Sequence, residues 1–150
     1  MILAHDSLIV QTLTRALLPV IQLFALYVLF FGQYGPGGGF VGGVMFGASL
    51  ILSFLVFGAD DTAQDILGRV AFQTDGLGLI IFAGIGGLCM VFAGEFLNYA
   101  AIPLPGLDVA ATRSLGIVGT QIGVAVDVAV TSISIVYSLS LRNEHGRAHD

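Results

Sequence analysis

Residues 115–141 read LGIVGTQIGVAVDVAVTSISIVYSLSL, an apolar run that holds no basic residue and a single acid, Asp127. A hydrocarbon core of about 30 Å needs about 20 apolar residues in a helix. The run is long enough to cross a bilayer and should tilt or project beyond it. Its polar and small residues are not scattered. Gly116, Thr120, Gly123, Asp127, Thr131, Ser134 and Ser138 follow steps of four and three, so on a helix they share one face. Such a face is expensive against lipid and must meet protein or a water-filled cavity.

Three further runs of spanning length lie upstream. Residues 10–31 are mostly apolar, interrupted by Arg15 near the start, Pro19 and Gln22, residues 39–58 carry no charge, and residues 76–99 are apolar until Glu95. The expected fold is therefore all-α: an integral membrane four-helix bundle, one domain over residues 1–150, with spans at about 10–31, 39–58, 76–99 and 115–141. Composition agrees, since 10% of residues are charged, against roughly 25% in a soluble domain. Arg15 followed by an apolar stretch resembles a secretory leader, but Phe30-Phe31 and Gly32-Gln33-Tyr34 form no small-residue cleavage site, so the first run is expected to be a retained helix.

The connection at residues 32–38 is so short that the first two helices must be antiparallel neighbours. The second, residues 59–75, is acidic, with Asp60, Asp61, Asp65 and Asp75 beside Arg69; residues 65–72 have the pattern of a short amphipathic surface helix, and Asp75 is placed to cap the third span. The third, residues 100–114, holds Pro103 and Pro105-Gly106, which oppose helix. Four spans put both termini and the second connection on one side. That side carries Arg15, Arg69, Arg142 and Arg147, and the other only Arg113, which predicts cytoplasmic termini in a prokaryotic cell membrane.

Several function classes are disfavoured. A net charge of −5 with no lysine and no basic cluster gives no footprint for nucleic acid. Cys89 is alone, and His5, His145 and His149 lie near the termini, so no disulfide, metal or cofactor site is expected. No intramembrane Ser/His pair, paired aspartates or histidine-metal motif is present, so an enzyme is not expected.

Glycine lets helix backbones approach closely in lipid, and here it is patterned. Gly39, Gly43 and Gly47 share one face of the second helix, and Gly84, Gly87, Val91 and Gly94 form a stripe on the third. With Gly116 and Gly123 on the fourth, small-residue faces occur on three helices, more than a lone bundle needs, which points to helices of other subunits as partners; packing among these four helices is the simpler alternative.

An ionised Asp127 at mid-span costs at least a few kcal/mol on insertion scales. It is read as a residue bordering an ion or proton path, with Thr131 one turn away supplying a hydroxyl; a structural acid bonded to a neighbouring subunit is the alternative. Glu95 is either a path residue or an interfacial acid. The run from Gly32 to Gly43 lacks the Lys-Ser/Thr of a phosphate loop and follows no strand. It is read as a tight re-entry into the membrane, with Phe40 anchoring the start of the second helix.

The segment Pro36-Gly37-Gly38-Gly39-Phe40-Val41-Gly42-Gly43, directly after a first apolar helix, resembles the signature of the MrpB (also called MnhB) family, small membrane subunits of multi-subunit cation/proton antiporters. The similarity extends to the length, the four spans and the acid in the last helix. It implies a hetero-oligomeric complex that exchanges Na⁺, or in some cases K⁺, for protons, with this chain scaffolding it and lining part of its ion path. It also implies that Pro36, Phe40 and Asp127 matter; Glu95 matches no motif, and Thr120 and Thr131 join Asp127 and Glu95 as candidate ion-path residues. A purely structural subunit, or the equivalent subunit of a redox-driven complex such as a membrane-bound hydrogenase, are the alternatives.

Overall fold

The computed structural model describes residues 8–32, 34–57, 68–71, 73–74, 76–103 and 106–147. Helix α1 is Leu8–Phe31, α2 Gly39–Phe57, α3 Leu77–Ala93 and α4 Val109–Arg147, with a short 3-10 turn at Tyr99–Ala101. Among the described residues there is no strand. Among the described residues three stretches are long and apolar enough to cross a membrane, Leu8–Phe31, Gly39–Phe57 and Val109–Leu139, while Leu77–Phe92 is shorter.

α1 runs unbroken through Pro19, as membrane helices tolerate when freed backbone groups find local partners. The turn that follows is closed by its own backbone: the Tyr34 N–H donates to the Phe31 carbonyl (3.0 Å) and the Gly38 N–H to the Val28 carbonyl (3.2 Å). Gly38 has φ 102°, a conformation open to glycine at no steric cost, and a Cβ on Gly32 would fall on the Gly38 backbone. The glycine-rich run is thus a tight hairpin that returns the chain into α2.

α4 is the hub. On one flank it receives α2 through the predicted seam: a Cβ on Gly39 would fall on the Gln121 backbone, one on Gly43 would stand 2.7 Å from the Ala125 carbonyl oxygen, and one on Gly47 would stand 3.2 Å from the Ser132 Cβ. The contacts advance in the same direction on both helices, so α2 and α4 are parallel. α1 lies antiparallel on the outer side of α2, where a Cβ on Gly42 would stand 3.1 Å from the Ala25 carbonyl oxygen. α3 runs antiparallel along the other flank of α4, with Gly78 against Gly123 and Asp127, and Gly119 against the Ile85 side chain. The lateral order is α1–α2–α4–α3. An apolar cleft of about 430 Å³ stays open between α1 and the residue 70–74 segment, lined by Leu26, Phe30, Leu50, Val70 and Ile133.

Two boundaries differ from expectation. The third helix ends at Ala93, not near residue 99, because Gly94 takes φ 72° and its N–H closes on the Met90 carbonyl at 2.8 Å, the left-handed glycine cap that commonly stops helices. The chain then reverses. Phe96 returns onto Gly86 and meets Phe82 edge-on at 6.1 Å. This turn holds Leu97 at φ 61°, at a cost of roughly 1–2 kcal/mol. The fourth helix starts at Val109, not 115, because Asp108 caps it: its Oδ1 accepts the Ala111 N–H at 2.8 Å, satisfying an orphan donor of the first turn.

Of the expected surface helix at 65–72, residues 68–71 are described and helical, and Gly68 lies against the Tyr137 ring of α4. Gly68 at Tyr137 and Gly78 at Asp127 place residues 68–71 and α3 along the same flank of α4, with Gly76 at φ 89° just before α3. Gly76 is also the N-cap residue of α3; the expected cap, Asp75, lies outside the described residues.

Candidate functional site around Asp127 and the start of helix α3

The predicted polar face of α4 turns toward α3 and is covered largely by its own chain. Thr120 and Ser134 are buried, Gly123 touches the Gly78 carbonyl and the Phe82 amide, and Gly116 lies under the Tyr99 ring. Asp127 is half-buried beside the start of α3. A Cβ on Gly78 would overlap the Gly123 carbonyl and the Asp127 amide and stand 2.6 Å from the Asp127 Cβ. Only a residue without a side chain brings the first turn of α3 so close to this acid. The first N–H groups of a helix have no intrahelical partner and carry its positive dipole end. In discontinuous membrane helices such ends face anionic groups within the bilayer.

The other predicted residues divide. Thr120 is tied into the fold: its hydroxyl pairs with the Tyr99 hydroxyl at 3.1 Å and lies 2.9 Å from the Ile117 carbonyl. Thr131 is half-buried one turn beyond Asp127. Glu95 is exposed outside the helix, accepting a hydrogen bond from Asn98 Nδ2 at 3.0 Å. Asp127 sits at the first turn of α3 and Glu95 beyond its last, at opposite ends of a helix about 25 Å long; the structure does not bring the two acids together.

The packing glycines divide too. Gly47, Gly116 and Gly123 pack within the chain. Gly84 and Gly87 do not: a Cβ on either would meet nothing within 4 Å among the described residues, and Val91 is 80% exposed. The in-chain seam of α3 is the opposite stripe, Gly78, Phe82, Gly86 and Cys89. In the loop motif Gly37, Gly38, Gly39, Gly42 and Gly43 make close contacts, whereas Pro36 and Phe40 are exposed.

Sequence reasoning passed over Gln121. Its Oε1 is buried without a hydrogen-bond partner among the described residues, and its amide stands 3.8 Å from where a Cβ on Gly38 would be. The residue thus links α4 to the glycine-rich hairpin. An uncharged polar residue within an apolar span was the available signal, but it lies one position off the polar stripe.

A family model described as "Domain related to MnhB subunit of Na+/H+ antiporter" matches residues 9–134. The chain belongs to the MnhB family. It is 33% identical over 138 residues to a Na(+)/H(+) antiporter subunit of Alkalihalophilus pseudofirmus, covering 86% of this chain and 94% of that one. It is 30% identical over 135 residues to the corresponding Na(+)/H(+) antiporter subunit of Bacillus subtilis, covering 87% and 93%. A putative antiporter subunit mnhB2 of Staphylococcus haemolyticus is 27% identical over 132 residues, covering 83% and 92%. The MnhB match contains all four helices up to Ser134, and so includes both the glycine-rich hairpin and Asp127. This MnhB-family chain is a multi-pass membrane protein.

Proposed function

We propose that this chain is the MnhB-type subunit of a multi-subunit Na⁺/H⁺ antiporter in a prokaryotic cytoplasmic membrane, with both termini in the cytoplasm. In this reading it scaffolds the complex, and Asp127 lines part of the ion path. The observation that carries the path role is the close approach of Gly78 to Asp127. The Asp127 backbone and Cβ lie beside the first turn of α3, the positive end of that helix, which in this reading favours an anionic group there. A carboxylate with the Thr131 hydroxyl nearby offers oxygen ligands, which suit a hard cation or a hydrated proton. Asp127→Asn in the assembled complex is the test. Antiport should fall at least about tenfold, the scale of one lost charge-assisted contact, while assembly persists; unchanged antiport with unchanged assembly rejects the path role.

A scaffolding role without ion contact is favoured by a different observation. The Gly84–Gly87–Val91 face of α3 and the exposed Pro36 and Phe40 have no cover among the described residues of this chain. If the complex assembles through them and Asp127→Asn is silent, that reading stands alone.

A further inference from the structure

At the end of the molecule away from the termini, Tyr34 of the hairpin and the first turns of α4 enclose a cleft of about 520 Å³, lined by Tyr34, Val109, Ala110, Arg113, Ser114 and Ile117. Its rim carries a guanidinium and two hydroxyls over an apolar floor. From Tyr34 an unbroken ladder of rings descends the outer face of α1. Phe31 lies 6.5 Å from Tyr34, Tyr27 stacks on Phe31 at 4.9 Å, and Phe24 stacks on Tyr27 at 6.1 Å. The lower rungs line an apolar groove of about 480 Å³ with Val20 and Leu23. Phe24 to Phe31 covers about 10 Å of helix axis and Tyr34 extends it, close to the roughly 15 Å depth of one leaflet's hydrocarbon.

We infer that this track is a binding site for one acidic phospholipid, its phosphate held by Arg113 with Tyr34 and Ser114 and one acyl chain laid along the aromatic ladder. Charge complementarity selects the occupant. An arginine fork matches phosphate oxygens in a two-pronged geometry. Tyrosine belongs at this depth, where its ring is apolar and its hydroxyl wet. The cleft is built from two elements, the hairpin through Tyr34 and the first turns of α4, so the lipid clasps them. None of this depends on ions passing Asp127.

The test uses the purified antiporter complex, stripped of lipid in mild detergent and followed by thermal unfolding as lipid is returned. Phosphatidylglycerol should protect it far better than phosphatidylcholine. Arg113→Gln should need at least about tenfold more phosphatidylglycerol for the same protection, with Arg113→Lys intermediate and Arg15→Gln, at the other end, unchanged. Equal protection by the two lipids, or an unaltered titration in Arg113→Gln, overturns the assignment. So does a photo-crosslinker at position 113 that captures a protein partner instead of lipid. Should Arg113→Gln fail to assemble, phosphatidylglycerol retained through purification is measured in Phe31→Ala: depletion supports the site, and wild-type retention overturns it.

Discussion

Gly78 and Asp127 are in backbone contact across α3 and α4, so close that a methyl group on Gly78 would stand 2.6 Å from the Asp127 Cβ. Gly78→Val forces the helices apart, and overpacking of this kind costs about 1–3 kcal/mol or more. The variant should unfold at lower temperature and lose antiport together. Gly84→Val, whose side chain enters space unoccupied by the described residues, should leave the subunit's own fold intact. Thermal unfolding of the two purified variants makes the comparison.

Gly43→Leu and Gly87→Leu are the same substitution with opposite expected outcomes. At Gly43 the new side chain meets the Ala125 carbonyl oxygen at 2.7 Å, so the α2–α4 seam cannot close and the subunit should fail to accumulate. At Gly87 it meets nothing within 4 Å among the described residues. The subunit should accumulate normally but lose co-purifying partners. Blotting membranes for the subunit, then measuring pull-down of the complex, separates the two. Normal accumulation of Gly43→Leu would contradict the seam.

Tyr99→Phe removes the hydroxyl that pairs with Thr120 at 3.1 Å. The loss should be about 0.5–1.5 kcal/mol, since Thr120 keeps its bonds to its own helix. A double-mutant cycle with Thr120→Val should give a coupling energy of that size; a coupling of zero would mean the fold-back after α3 is held by the ring on Gly116 alone.

Asp108→Ala should fray the first turn of α4 at a cost of about 0.5–2 kcal/mol. Amide exchange at Ala111 and Thr112 should quicken while that of the α2–α4 seam does not change. An unaltered exchange rate at Ala111 would show that its bond to the Asp108 carboxylate contributes nothing.

How far the sequence can be read depends on what each signal encodes. Apolar length locates α1 and α2 to within a few residues. The four-and-three spacing on α4 marks a sided helix whatever its neighbours; on that face Thr120, Gly123 and Ser134 are buried, Asp127 and Thr131 half-buried and Ser138 exposed. Spacing does not say which stripe of a helix turns inward: Gly84 and Gly87 suit either a partner's helix or this chain's own, and within the chain Gly78 and Gly86 hold the seam of α3. Gly94 fits the same stripe by number but acts as the helix stop, since its left-handed conformation depends on the chain reversing behind it. Pro103 and Pro105 argue against helix so strongly that they mask the cap at Asp108, only a few residues on. The approach of Gly78 to Asp127 is beyond reach, because it joins residues 49 positions apart (127 − 78) whose meeting is decided by tertiary packing.

α4 continues without interruption for 39 residues, a rod of about 58 Å. Its neighbours rest on it through glycine, backbone against backbone, with few compliant side chains between to absorb a slip. Whatever grips its projecting end therefore holds a stiff handle on the whole subunit. A partner pulling there would shift Asp127 and the start of α3 as a single body, turning a movement outside the hydrocarbon into a change of position deep within it.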